Sequence, residues 1–242
     1  MKASKVCNML TKRVPEKWSY EKEPYGAFDV NPDANIRRVL YCVTPTPEVQ
    51  RKFVDEKYDL LVSHHPYVVG VPMVILHTAL DCCPGGLNDQ WADYLGIDLG
   101  SRTRIDKQLG WAGTVQEIDV FELTRKVKAF AGDVIGDVYS RDNIKSIVVC
   151  TGLGGMVTDL ALATGADCYV TGQLLSPGRL TGFKSVIEIG HTLSERCGLK
   201  VIQDVLKRTG AGHGLTVHGA GLDIDVFGQE IFKLGGTEWK EK

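Results

Sequence analysis

The chain has 242 residues, 43% hydrophobic and 24% charged, with a formal net charge of -2, which places it among ordinary globular proteins with ample material for one large core or two modest ones. The charge is spread without a basic block, which argues against nucleic acid or an anionic membrane as a partner, and no apolar run approaches the roughly 20 residues that span a bilayer. Met1 to Leu10 lacks the apolar region of a secretory leader, so a cytoplasmic protein is expected. Seven scattered cysteines, none in a C-x-x-C pair, read as buried thiols.

In chain order, short apolar runs alternate with amphipathic stretches, the pattern of an α/β protein. Ile36 to Thr44 reads as a strand, and Thr46-Pro47-Glu48 opens a helix with an N-cap followed by proline, ending near Tyr58. Asp59 to His64 and Pro72 to His77 read as strands, and Gly86 to Leu95 as a helix closed by Gly96. Trp111 to Glu117 is a further strand, followed by a helix from Val120 to Ala131 that Asp119 can cap. The pattern then repeats: strands at Val134 to Tyr139 and Asn143 to Cys150, a helix at Met156 to Thr164, and strands at Asp167 to Thr171 and Ser185 to Ile189. A helical stretch from His191 to Arg196 continues past Gly198 as Leu199 to Arg208, and Leu215 to His218 closes the series as a strand. The least periodic windows are Trp18 to Asn35 and Ile97 to Gly110. A lobe boundary belongs in the second of these, dividing the chain into 1–105 and 106–242, unless the two lobes form one interleaved domain.

Three clusters concentrate the chemistry. In Ser63-His64-His65-Pro66 an apolar strand stops at two imidazoles. Successive strand residues point to opposite faces, so both histidines reach one site only if the strand ends here; the bland alternative is a pair of satisfied buried histidines. In His77-Thr78-Ala79-Leu80-Asp81, before the turn Pro84-Gly85-Gly86 and Asn88-Asp89, Asp81 lies where open α/β sheets place their ligands; it could equally be a turn residue. In His191-Thr192-Leu193-Ser194-Glu195 an imidazole and a carboxylate stand four apart, on one face of a helix, as a ligand pair or an exposed ion pair would. Each cluster follows an apolar strand, and together they supply three histidines, an Asp and a Glu. That nitrogen and oxygen set suits Zn, Mn, Fe, Co or Ni and lacks the thiolates of closed structural zinc sites. Five ligands with a bridging carboxylate exceed the needs of one tetrahedral ion and fit two.

Ser-His-His-Pro at 63–66, His-Thr-Ala-Leu-Asp and Pro-Gly-Gly-Leu-Asn-Asp within 77–89, and Gly-His-Thr-Leu-Ser-Glu at 190–195 together resemble the NIF-three-like dinuclear metal-centre family, which includes YbgI-like proteins and homologues named GTP cyclohydrolase I type two. The resemblance runs from about Ile36 to Arg208. It implies a two-lobed α/β fold of mixed sheets flanked by helices, two divalent metal ions on His64, His65, Asp81, His191 and Glu195 with the two carboxylates bridging, and a toroidal homohexamer whose sites face an inner cavity. The chain departs from the family pattern in its segment Trp18 to Asp29 and at Gln173, where relatives usually carry an acidic residue.

A glycine-rich segment, Thr151-Gly152-Leu153-Gly154-Gly155, leads from a strand into a helix. It lacks the third glycine of the dinucleotide fingerprint and the lysine of a P-loop, so a tight turn is favoured over a phosphate contact. The expected function is metal-assisted hydrolysis of a small molecule, with a nucleotide as the substrate suggested by resemblance. His77, outside the ligand set, is the candidate proton shuttle. Metal storage or transfer, or a regulatory scaffold, would present the same five ligands and is the alternative.

Overall fold

Ala3, Val6, Cys7 and Leu10 recur at helical spacing and are buried, on a helix α1 at Ala3–Arg13. It precedes β1 at Gly26–Phe28 and β2 at Arg38–Cys42. The computed structural model describes residues 1–20, 22–106, 109–132, 136–138, 143–175, 182–210 and 214–220. In α2, Pro47–Asp55, Thr46 caps the helix by accepting from the Val49 amide, with proline at the first turn as expected. β3 is Leu60–Ser63 and β4 is Met73–Ile75, followed by α3 at His77–Cys82 and α4 at Leu87–Leu95. β5, Thr103–Arg104, pairs with β6, Trp111–Ile118. Asp119 accepts from the Phe121 and Glu122 amides to start α5, Val120–Ala131. β7 at Gly136–Val138, β8 at Ile144–Cys150, α6 at Thr158–Ala163, β9 at Cys168–Thr171 and β10 at Ser185–Glu188 follow. The last elements are α7 at His191–Glu195, α8 at Leu199–Gly210 and β11 at Thr216–Gly219.

Three local expectations change. The sequence reading assigns no element before Ile36, because charged residues break the apolar signal that α1 regains only by packing on its neighbours. The third expected strand stops at Ile75, and His77 opens a helix instead; Ala79, Leu80 and Cys82 bury one side of it, and no breaker intervenes before Pro84. The helix expected from Met156 divides into a 3-10 turn, Gly154–Val157, and α6. The outer ends of the strand expected at Val134 to Tyr139 lie outside the described residues.

The strands form two mixed sheets, β1-β4-β3-β2-β11 and β5-β6-β8-β9-β10-β7. Sheet membership does not follow a single cut at 105/106. β11 returns to pair in parallel with β2, and α8 buries Leu199, Ile202 and Leu206 beside Val6 and Leu10 of α1. Conversely, Trp91, Ala92 and Leu95 of α4 pack in the core of the second sheet. Segments from each half of the chain thus pack with the sheet of the other half.

The centres of the two sheets duplicate one another. The parallel trio β4-β3-β2 matches β10-β9-β8: Cys42 pairs with Ser63 as Cys150 pairs with Thr171, and Ser63 pairs with Ile75 as Thr171 pairs with Glu188. Asp59 accepts from the Arg37 and Arg38 amides at the start of β2, and Asp167 does the same for Lys145 and Ser146 at the start of β8. Each trio leads into a short helix whose first residue is histidine and whose fifth is a carboxylate, His77 and Asp81 in α3 and His191 and Glu195 in α7.

Candidate metal centre

Parallel strands end where their next residues leave the ladder, and here those ends carry the expected side chains. β3 stops at Ser63, whose hydroxyl donates to the carbonyl of His65 at 2.9 Å, while the amides of His64 and His65 bond to the carbonyls of Cys42 and Val43. This turn lets two adjacent imidazoles point into one space, as the ended strand requires. α3 delivers Asp81 from the neighbouring strand end, and α7 delivers His191 and Glu195 from the second sheet.

The five sequence-predicted residues gather around Glu195 and His64. Glu195 Oε1 lies 3.0 Å from His191 Nε2 and 3.3 Å from His64 Nε2, and its Oε2 is 2.9 Å from His65 Nε2. His65 Nε2 and His191 Nε2 are 3.2 Å apart, and Asp81 Oδ1 is 3.7 Å from His64 Nε2. His64, His65 and Glu195 have ligand atoms within 4.8 Å of one another, a grouping that can hold a metal ion. His64, His65, Asp81 and Glu195 are buried. Among the described residues, His64 Nε2, Asp81 Oδ1 and Glu195 Oε2 have no hydrogen-bond partner; the short approach of Glu195 Oε2 to His65 is outside hydrogen-bonding geometry. Buried polar atoms left in this state are costly unless something else satisfies them, and a divalent cation is the group that both imidazole nitrogens and carboxylate oxygens accept. The residues therefore fit a metal.

The electrostatics agree. Burial pushes Asp81 well above the usual carboxylate range, and the negative charges of Glu195 and Glu23 add to it. Burial acts the same way on Glu195, but the imidazoles of His65, His64 and His191 outweigh it and hold that carboxyl well below its ordinary value. Burial lowers His64 to about 4 against the pull of Glu195, so its ring is neutral at pH 7 and open to ligation. The two carboxylates are thus pushed in opposite directions, and a cation bound beside them would favour the ionised form of Asp81.

Groups around the cluster hold the ligands in place. His191 Nδ1 donates to Gln173 Oε1 at 3.0 Å, and His65 Nδ1 meets Thr44 Oγ1 at 2.7 Å, so both rings turn Nε2 inward. Asn88 is fully buried; its amide donates to the Asp81 carbonyl and its oxygen accepts from the Thr151 amide, bracing α3 against the loop after β8. Asp89 accepts from Trp111 Nε1 at 2.6 Å and pairs with Arg104, tying the start of α4 to β5 and β6. In the glycine-rich segment, the amides of Thr151, Gly152, Gly155 and Met156 are engaged by Asn88, Ser194, Gln173 and Leu153. It is a tight turn that supports the site, and those four donors are not open to a phosphate. Replacing Gln173 by leucine should therefore weaken zinc binding by about 10- to 100-fold with the fold intact; unchanged affinity in calorimetry would show that the amide does not orient His191.

His77 lies at the edge of the cluster, its ring centroid 5.4 Å from that of His64 and 6.0 Å from that of His65. Its Nδ1 is 2.7 Å from Glu23 Oε2. Sequence reasoning missed Glu23, which stands in the aperiodic window Trp18 to Asn35 with no local pattern to mark it. It also noted Gln173 only as a departure and gave Thr44 no role.

Comparison with known proteins follows the same lines. The description Duf34/NIF3 (NGG1p interacting factor 3) matches residues 1–75 and 69–222. A protein of Lactococcus lactis named GTP cyclohydrolase 1 type 2 homolog is 26% identical over 242 aligned residues, covering 86% of this chain and 92% of its own. A protein of the same name from Methanothermobacter thermautotrophicus is 28% identical over 188 residues, covering 74% and 78%. Among solved structures, reduced HcgD from Methanocaldococcus jannaschii superposes with a TM-score of 0.76 at 21% identity, covering 91% of this chain and 98% of its own. A Bacillus cereus protein related to NIF3 superposes at 0.78 and 14% identity, covering 94% and 98%. These structural likenesses establish the shared fold. With the family description spanning both sheets and the three ligand-bearing segments, the chain belongs to the Duf34/NIF3 family.

Proposed function

We propose that this chain is a metal-dependent hydrolase with two divalent ions on His64, His65, Asp81, His191 and Glu195, acting on a nucleotide or a related small molecule. The observation that carries this reading is the convergence, at His64, Asp81 and Glu195, of buried nitrogen and oxygen atoms that have no hydrogen-bond partner among the described residues. Ions bound there would polarise the bond under attack and acidify water. Three histidines and two carboxylates exceed one tetrahedral shell, which favours two ions over one, and the donor set suits Zn, Fe, Mn, Co or Ni.

The chain's own residues have separable tasks. The two carboxylates balance the positive charge, Gln173 and Thr44 hold two imidazoles in orientation, and His77, beside the cluster and 25% exposed, can exchange a proton with substrate or solvent. The names of the curated relatives point to opening of a purine ring, and release of phosphate is the other outcome that such a centre accommodates. The homohexamer is part of the same reading. Met156 and Leu160, four residues apart, and Leu175, packed beside Gly155, are 73%, 46% and 60% exposed, an apolar surface of the kind that subunit contacts cover.

Elemental analysis and sedimentation of protein purified without chelators, alongside Asp81→Ala, test the reading. Near two equivalents of metal per hexameric chain, falling sharply in the variant, support it, as does turnover of a nucleotide panel that the variant abolishes. No metal after reconstitution with any of the five ions would sink it. Metal that exchanges freely to an acceptor without turnover would favour storage or transfer.

A further inference from the structure

Glu23 contributes a carboxylate to this region that the five-ligand set does not use. It sits between β1 and the N-terminal helix, is 13% exposed, and is held from three sides. Ser19 Oγ donates to Oε1 at 2.5 Å, Thr78 Oγ1 donates to the same oxygen, and Oε2 faces His77 Nδ1 at 2.7 Å. Burial alone would raise its pKa, but the hydrogen bonds from His77, Ser19 and Thr78 prevail and bring it to about 2. Glu23 is thus an acceptor-only carboxylate.

The internal duplication shows what such an acceptor does. His77 and His191 each open the short helix that follows the third strand of a parallel trio, four residues before Asp81 and Glu195 respectively. Each has its Nδ1 against an oxygen of a side chain from elsewhere in the chain: Gln173 Oε1 for His191 and Glu23 Oε2 for His77. His191 then turns Nε2 to Glu195 at 3.0 Å. For His77, no hydrogen bond engages Nε2 among the described residues.

We propose that Glu23 is the positioning residue of His77: by accepting the Nδ1 proton it fixes the imidazole in the tautomer whose Nε2 lone pair is open at the rim of the metal cluster. The two halves of the duplicated site differ in the charge of the acceptor. The neutral amide of Gln173 orients a ring whose Nε2 faces the ligand group. The carboxylate of Glu23 orients one whose Nε2 remains available, and it can stabilise the imidazolium that forms when Nε2 takes a proton from water or substrate. The role given to that proton rests on the hydrolase reading; the tautomer does not.

The test is long-range proton–nitrogen NMR of the histidine rings at one mildly alkaline pH, on full-length protein as purified and after zinc loading. The wild-type protein should show His77 protonated at Nδ1, with a downfield proton resonance and an unprotonated Nε2. Glu23→Leu should move a substantial share of the population to the opposite tautomer. Glu23→Gln, in which an amide oxygen can still accept, should keep the tautomer and move the Nδ1 proton resonance upfield. If Glu23→Leu unfolds, the Glu23→Gln spectrum decides alone. His77 signals unmoved by the substitutions, or a wild-type ring protonated only at Nε2, would overturn the proposal. Because no substrate enters the measurement, failure of the hydrolase reading would leave a positive result standing.

Discussion

Replacing Glu195 by glutamine should lower zinc affinity by roughly 10²- to 10³-fold. The glutamine preserves shape but removes a carboxylate in contact distance of all three imidazoles, His64, His65 and His191. Removing one partner from a buried charged group costs about 3–5 kcal/mol, and each 1.4 kcal/mol is about tenfold in affinity. One compensation acts in the opposite direction. Glu195 is a cause of the raised pKa of Asp81, so Asp81 ionises more readily once that charge is gone. The loss should therefore be large and incomplete, and Glu195→Gln combined with Asp81→Asn should lose more than either alone. Calorimetric titration of zinc into metal-free protein measures this; wild-type affinity in Glu195→Gln would remove Glu195 from the ligand set.

Gly152→Ala should damage the same site from the backbone side. Gly152 has φ +62, a conformation that costs an L-residue about 1–2 kcal/mol, and a Cβ there would come within 2.6 Å of Glu195 Oε1 and 3.5 Å of His191 Nε2. Glu195 would have to shift, whereas the approach to His191 is an ordinary van der Waals contact. A displacement of that kind should weaken metal binding by about 10- to 100-fold, comparable to losing an orienting contact, as well as lowering the unfolding midpoint. Gly96→Ala is the control. Gly96 ends α4 at φ +81, and the nearest atom to an added Cβ is the flexible Lys126 Nζ at 3.8 Å. It should show the backbone cost in urea melts and keep its metal. Equal metal affinity in the two variants would mean that the close approach of Gly152 to Glu195 does not matter to the site.

Much of the local structure was legible because its causes are local. Thr46-Pro47 and Asp119 announce helix starts through the amides that their side chains satisfy, and Gly96 announces an end. The abrupt change from apolar strand to paired imidazoles at His64 is written in consecutive residues, as is the four-residue spacing of His191 and Glu195. The readings that changed concern two short elements and one amphipathic helix. α3 is six residues long, too short for periodicity to distinguish it from a strand end or a turn, and β5 has only two residues that owe their pairing to β6. α1 is an amphipathic helix whose charged positions masked its apolar face until α8 covered it.

By itself, then, the sequence determined the α/β class, the caps and ends of its longer elements, and three segments carrying ligand-type residues at strand ends, because each depends on neighbours within a few positions. Only the tertiary structure decided that His65 and His191, 126 positions apart, come within 3.2 Å, that β11 returns to pair with β2, and that Glu23 reaches His77 across 54 positions. These contacts follow from strand ends of two duplicated sheets meeting at one cluster, and the free energy that sets their distances is the burial of the cores around those sheets. No local spacing rule contains that information.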